Sequence, residues 1–201
     1  MIDSDAFEPR IGIAERRTSE TEIQVTVCLD GDGNAEVDTG IGFLDHMLTA
    51  LAKHGRLDLR LSVQGDLEID DHHTTEDTAL ALGQAIDRAL GDRVGIRRFA
   101  HAYAPLDEAL ARVVIDFSGR PSAHVDTGFR REMIGHVATE NLTHFFHSLA
   151  TTARMTLHVD VLKGLNDHHR AEAAFKALAL ALRQAVAFDG GKDVPSTKGV
   201  L

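Results

Sequence analysis

Six residues occur twice in this chain, and their recurrence constrains the fold more than any other feature. Asp71-His72-His73-Thr74-Thr75-Glu76 reads DHHTTE, and Asp167-His168-His169-Arg170-Ala171-Glu172 reads DHHRAE, at an offset of 168 − 72 = 96 in 201 residues. Each copy opens a run rich in Ala and Leu with helical periodicity. Residues 57–63 and 155–161 both alternate as strands, offset by 155 − 57 = 98. His46 and His144 share that offset, 144 − 46 = 98, and each stands five residues before a Leu-Ala pair. Such self-similarity predicts a tandem duplication of a β-β-β-α-β-α unit in an α+β fold. Each half lays its helices on one face of a sheet, and the two inward faces can pack together with the helices between two sheets. The expected halves are 1–92 and 93–188, with a C-terminal segment at 189–201.

Around the repeat, the pattern reads as follows. Residues 1–10 are expected to be a loose start. Residues 10–16 and 22–29 read as strands, Asp30-Gly31-Asp32-Gly33 as a turn, and 35–38 as a short return strand. GIGFLDHMLTALAKHG (40–55) has helical spacing, and the DHHTTE helix should run to about Leu90 and stop at Gly91. In the second half, 99–104 and 110–117 are strand-like, FSGRP (117–121) turns the chain, and 126–138 is polar and irregular. The counterpart helix spans 140–153, and the last helix ends near Phe188. Cys28, in the alternating run EIQVTVCL, is expected as a packed core thiol.

Composition narrows the function. One cysteine excludes an intrachain disulfide and a cysteine-based metal cluster. A formal net charge of −10 argues against a nucleic-acid surface. No apolar run approaches membrane-span length, and the first residues lack the basic and apolar regions of a signal peptide, so a reducing cytoplasm is the default. The count that stands out is 12 His, which suits metal ligation because neutral imidazole is a common ligand.

At 3.6 residues per turn, His72 and Glu76 share a helix face, and so do His168 and Glu172. Adjacent His rings diverge by about 100°, so one ion is not expected to take both. An ordinary helix start, an N-cap with charge in the first turn, would explain Asp71 and Glu76 but not paired His at the same place twice. These polar groups continue along the stripe that becomes Ala79, Gly83, Ile86 and Leu90 in one helix, and Phe175, Ala179, Leu182 and Val186 in the other. Buried imidazoles and carboxylates need partners. A metal supplies them; a hydrogen-bonded polar cluster is the alternative. The repeat offers His46, His72, His73 and Glu76 from one half and His144, His168, His169 and Glu172 from the other, enough for two metals with four protein ligands each. Nitrogen and carboxylate without thiolate suits Mn, Fe, Co or Zn. His101, His124, His136, His147 and His158 break the repeat and read as surface or core histidines. No zincin, P-loop, dinucleotide or G-x-S-x-G motif is present.

An acidic chain can still bind an anion locally. Arg120 follows a Gly turn, Lys176 lies one helical turn beyond Glu172, and PSTKGVL offers Ser196, Thr197 and Lys198. A solvated tail is the alternative for 189–201, and a surface charge for Arg98 and Arg120.

GIGFLDHMLTALAKHG, GDLEIDDHHTTEDTALALGQAI, GIRRFAHAYAPLDEAL, FSGRP, DHHRAEAAFKALALALRQAV and PSTKGVL, in this order, closely resemble the imidazoleglycerol-phosphate dehydratase family from about Arg10 to Leu201. Residues 122–139 do not resemble any motif of it. The resemblance implies a lyase of histidine biosynthesis on a duplicated unit like ribosomal protein S5 domain 2. It implies two Mn(II) per subunit, held by the eight donors above. It implies substrate contacts from Glu20, His46, His54, Arg98, Arg120, Lys176, Ser196, Thr197 and Lys198. Arg98, Arg120, Lys176, Ser196 and Lys198 would act chiefly at the phosphate, and Glu172 or Glu20 as acid/base. It also implies a 24-subunit homo-oligomer with active sites at subunit contacts. Water would leave across C2 and C3 of the glycerol chain. The imidazole, held as imidazolate, would expel the C3 hydroxyl to give a diazafulvene-like species; loss of the C2 proton would then give the enol of imidazole-acetol phosphate. Residue types alone leave two alternatives: a dimetal hydrolase of a phosphorylated small molecule, and a non-catalytic metal-assembled protein.

Overall fold

The computed structural model describes residues 8–201. The loose start expected over 1–10 lies mostly outside them. The first half runs β1 (Ile11–Arg17), β2 (Thr21–Cys28), β3 (Ala35–Asp38), α1 (Gly42–Gly55), β4 (Asp58–Gly65) and α2 (His72–Leu90). The second runs β5 (Phe99–Leu106), β6 (Ala109–Asp116), β7 (Ser122–Asp126), a small hairpin of β8 (Met133–Ile134) and β9 (Val137–Ala138), then α3 (Thr139–Thr152), β10 (Thr156–Lys163) and α4 (Asp167–Ala185). Apart from the hairpin, which occupies the irregular stretch, the script is the same twice.

The sheets match in topology, β1-β2-β4-β3 and β5-β6-β10-β7. They also match in register: Ile11 opposes Cys28 and Phe99 opposes Asp116, both pairs related by 99 − 11 = 116 − 28 = 88. Each sheet alternates between a buried and an outward face. In β2, Ile23, Val25 and Val27 point inward and are nearly inaccessible. Because period two then turns Cys28 outward, it is half-buried on the outer face and not the core thiol its neighbours suggested.

The helices fill the space between the sheets, and they pair across the halves. α1 packs on α4, and α2 on α3. The second contact is close enough that a Cβ at Gly83 would lie 2.2 Å from Thr152 Oγ1 and 2.7 Å from the Leu149 carbonyl oxygen. Thr152 uses that approach to donate to the Leu80 carbonyl at 2.8 Å. Phe145, Phe146 and Phe175 meet in the centre with ring centroids 5.0–6.0 Å apart, all fully buried. Burial of each contributes roughly 1.5–3 kcal/mol.

Arg93, 3% exposed, joins the halves. Its guanidinium pairs with Asp87 and donates to the carbonyls of Phe117 and Ala153. The C-terminal segment is docked, not a solvated tail. Asp189 N–H donates to Gly95 O and Gly95 N–H to Asp193 O, each at 3.0 Å. A Cβ on Gly119 would lie 2.5 Å from the Leu201 carbonyl carbon, so the chain end rests on the FSGRP turn.

Candidate metal centre

Cross-half packing regroups the donors. One group is His46 from α1 with His168 and Glu172 from α4; the other is His144 from α3 with His72 and Glu76 from α2. His46 Nε2 and His168 Nε2 each lie 3.2 Å from Glu172 Oε2. His144 Nε2 lies 3.2 Å from Glu76 Oε1, and His72 Nε2 3.5 Å from Glu76 Oε2. Within each group the ligand atoms lie within 4.8 Å of one another. An ion bound at about 2.0–2.2 Å from each donor needs donors no more than about 4.4 Å apart, so small side-chain rotations suffice. Three ring or carboxylate donors without thiolate fit a borderline or hard divalent cation.

His73 and His169 do not join these groups. They turn from their neighbours, with ring centroids 5.9 and 6.0 Å apart and interplanar angles of 77° and 88°. Each is instead oriented by a carboxylate at Nδ1: Asp66 at 3.0 Å for His73, and Glu108 at 2.7 Å for His169. These bonds raise both imidazole pKa values. Glu108 in turn is brought down to about 2 by the Asn166 backbone N–H, His169 and the Leu165 backbone N–H. A His held at Nδ1 by a carboxylate presents Nε2 as a ligand. Glu20 and Asp107 lie beyond those Nε2 atoms at 3.8 and 3.9 Å.

The helix starts hold a correction. Asp71 makes no cap hydrogen bond. Asp70 Oδ1 takes the His72 N–H at 2.8 Å, and Asn166 Oδ1 takes the His168 N–H at 2.9 Å. The repeated Asp residues reach other segments instead. Asp71 accepts from Ala138 N–H and Asn141 Nδ2, and Asp167 accepts from the backbone N–H groups of Arg130 and Arg131. Asn141, which bonds His72, belongs to no repeated motif. The available signal was its place: aligned by 141 − 98 = 43, it stands opposite Phe43.

Glu172 is also bound by Lys176, Nζ to Oε1 2.7 Å. Burial opposes its ionisation, but Lys176 and His46 overcome this and bring its pKa to about 2. His54 lies nearby; burial and Lys176 lower its pKa. The other expected anion residues collect elsewhere. Arg98, at φ 68°, pairs with Asp116 at 2.7 Å and donates to Pro195 O at 2.7 Å. This bond ties it to the segment carrying half-buried Ser196 and exposed Thr197 and Lys198. Arg120 is exposed on the turn that meets Leu201. Arg98 N–H bonds Ala185 O, and Ala185 lies nine residues along α4 from Lys176, about 13 Å. One chain therefore does not bring Lys176 and His54 together with the Arg98 end.

A profile of the imidazoleglycerol-phosphate dehydratase family matches residues 39–182. The chain is 51% identical over 201 residues to an imidazoleglycerol-phosphate dehydratase of Salinibacter ruber, covering all of both chains. It is 55% identical over 209 residues to that of Candida glabrata, covering 95% of this chain and 100% of the other. A longer Phytophthora nicotianae protein of the same name is 60% identical over 186 residues, and that match spans 41% of its length. The solved imidazoleglycerol-phosphate dehydratase of Staphylococcus aureus superposes with a TM-score of 0.80 at 36% identity, covering 89% of this chain and 99% of that one. That of Pyrococcus furiosus, in complex with (S)-C348, gives 0.81 at 39% identity, covering 93% and 99%.

Proposed function

Since this chain belongs to the imidazoleglycerol-phosphate dehydratase family, we propose that it eliminates water from D-erythro-imidazoleglycerol phosphate to give imidazole-acetol phosphate in histidine biosynthesis, with two Mn(II) per subunit. The observation that carries this reading is the pair of pseudo-symmetric His–Glu–His groups. An imidazole ring has two nitrogens, and a pair of cations suits it. When bound, the cations would supply positive charge that lowers the pKa of an azole N–H, so that a substrate imidazole could be held in its anionic, electron-releasing form.

The chain's own residues do the rest. His46, His72, His144, His168, Glu76 and Glu172 hold the charge in place. The C2 proton must pass to a carboxylate, and Glu172 and Glu20 are the candidates. Glu172 is already engaged by His46, His168 and Lys176. Glu20 is exposed, with His73 as its side-chain partner at 3.8 Å, and is the better placed to accept a proton. Arg98, Arg120, Ser196, Thr197 and Lys198 would take the phosphate at one end, with Lys176 and His54 of a second copy closing the site. His73 and His169 turn outward from their own groups, which favours completion of each metal site by a neighbouring copy. We read this as the basis of a metal-dependent assembly of 24 subunits with active sites at the contacts. No helix among the described residues is long and apolar enough to cross a membrane, in keeping with a cytoplasmic biosynthetic role.

The test is direct: incubate the protein with Mn(II) and imidazoleglycerol phosphate and analyse the products. A ketone that retains its phosphate is expected. Release of inorganic phosphate would support a hydrolase instead, and metal-dependent assembly without turnover a structural role.

A further inference from the structure

The two donor groups occupy equivalent positions but are backed differently. His72 Nδ1 lies 2.9 Å from Asn141 Oδ1. Asn141 Nδ2 donates to Asp71 Oδ2 at 3.0 Å, and the same oxygen accepts Ala138 N–H at 2.8 Å. Charge decides the direction of this relay. A carboxylate only accepts, so the amide turns its NH2 to Asp71 and its oxygen to His72. That oxygen also only accepts, so His72 Nδ1 carries the ring proton. In the neutral ring this leaves the lone pair on Nε2, directed toward Glu76, in the form that binds a cation. Asn141 is 6% exposed, so packing holds the relay in place.

The other group lacks all of this. Phe43 stands where Asn141 would be, and its ring meets His168 edge-on with centroids 5.1 Å apart. Among the described residues no hydrogen bond reaches His168 Nδ1. Asp167, the equivalent of Asp71, is committed to the Arg130 and Arg131 backbone. Lys176 adds a competitor, a cation 2.7 Å from Glu172; the equivalent position, 176 − 96 = 80, is Leu80.

We infer that Asn141 is a positioning residue that makes the two sites unequal: the ion at His72–Glu76–His144 is the tightly held one, and the ion at His46–His168–Glu172 exchanges first. This rests on the divalent-cation reading above. A partner that orients a ligand from behind changes metal affinity by about 10–100-fold.

The experiment uses the intact protein loaded with Mn(II) and equilibrated against graded EDTA, with retained manganese counted per chain and free Mn(II) followed by electron paramagnetic resonance. The wild type should release manganese in two steps. Asn141→Leu should weaken the tight step by about 10–100-fold and merge it with the other. Asp71→Asn still accepts Ala138 N–H but no longer dictates the amide direction, so it should show part of that loss. Lys176→Met should strengthen the weak step and leave the tight one alone. Melting temperature and particle size, measured alongside, separate a packing defect, which would not reorder the steps. Release of two equivalent ions in a single step from the wild type overturns the inference, as does an Asn141→Leu effect confined to the weak step. If Asn141→Leu does not fold, unchanged release in both Asp71→Asn and Lys176→Met overturns it equally. A wild type that retains no divalent ion removes the metal reading itself, and this inference with it.

Discussion

The two halves of the molecule agree at one end and disagree at the other. At the helix starts, each contributes His and Glu donors in the same arrangement. At the far ends of the sheets the chemistry reverses. The turn after β2 carries Asp30-Gly31-Asp32; the equivalent turn after β6 carries Ser118-Gly119-Arg120. Asp58 Oδ1 gathers the N–H groups of Asp32, Gly33 and Asn34 at 2.9–3.1 Å. Its equivalent, Thr156, lies 3.3 Å from Ser118 Oγ beneath a turn that presents a cation. A planar ring with two nitrogens is matched by duplicated donors, whereas a single phosphate needs only one basic end.

The sharpest way to break this comparison is to remove one carboxylate from each group. Glu76→Gln and Glu172→Gln should each lower turnover by at least about 100-fold, with metal content falling in parallel; normal turnover with either would show that one group suffices. The next effect is on pH. His73 and His169 have raised pKa values because Asp66 and Glu108 hold their protonated forms. In the metal-free protein those pairs stabilise fully below the unfolded His pKa, and the contribution is lost as pH rises through the raised values. Metal uptake runs the other way, since the ion must displace the proton. Affinity should therefore fall by up to about tenfold per pH unit for each proton displaced, below the raised pKa. Asp66→Asn should move the fall to lower pH in a manganese-retention titration, and an unmoved curve would remove His73 from the ligands.

The pseudo-equivalent arginines sharpen the contrast at the other end. Arg10 pairs with Asp30 and donates to Val186 O, much as Arg98 pairs with Asp116 and donates to Pro195 O. Arg98→Met and Arg10→Met should therefore cost similar stability, yet only Arg98→Met should raise KM, by about tenfold or more. Equal KM values would make the basic end structural. The smallest effect is local. Asp58→Ala should cost about 1–2 kcal/mol by releasing its turn, and Thr156→Ala less than about 1 kcal/mol, read from denaturant midpoints. The Asn34 backbone N–H, with the neighbouring N–H groups, lowers the Asp58 pKa against the opposing effect of burial. Its contribution is thus present above the ordinary carboxylate pKa and fades as pH falls through the lowered one.

Much of this was legible in the chain. Repeated DHH motifs, alternating strands and helical Ala-Leu runs are patterns of short range, and α2 stops at Gly91 where the sequence says it should. The six residues that the fold gathers into two groups stand in the repeated motifs and the paired His46 and His144, because two copies of an uncommon cluster resist explanation by helix capping alone. Asp71 and Cys28 depart from the sequence expectation for opposite reasons. Asp71 resembled a cap, but Asp70 took that bond and freed it for Asn141, 70 residues away. Cys28 followed apolar neighbours, but strict alternation placed it on the outer face.

The duplicated unit, its element order and the nitrogen and oxygen character of the repeated residues are written in the chain, since periodicity and residue chemistry are local properties. That His46 shares Glu172 and His144 shares Glu76 follows from the packing of helices of opposite halves against each other. Only the tertiary structure turns His73 and His169 away from those groups, and backs one imidazole with an amide and the other with a phenyl ring. Such partnerships join residues far apart in the chain. They depend on how surfaces meet, which no local pattern encodes.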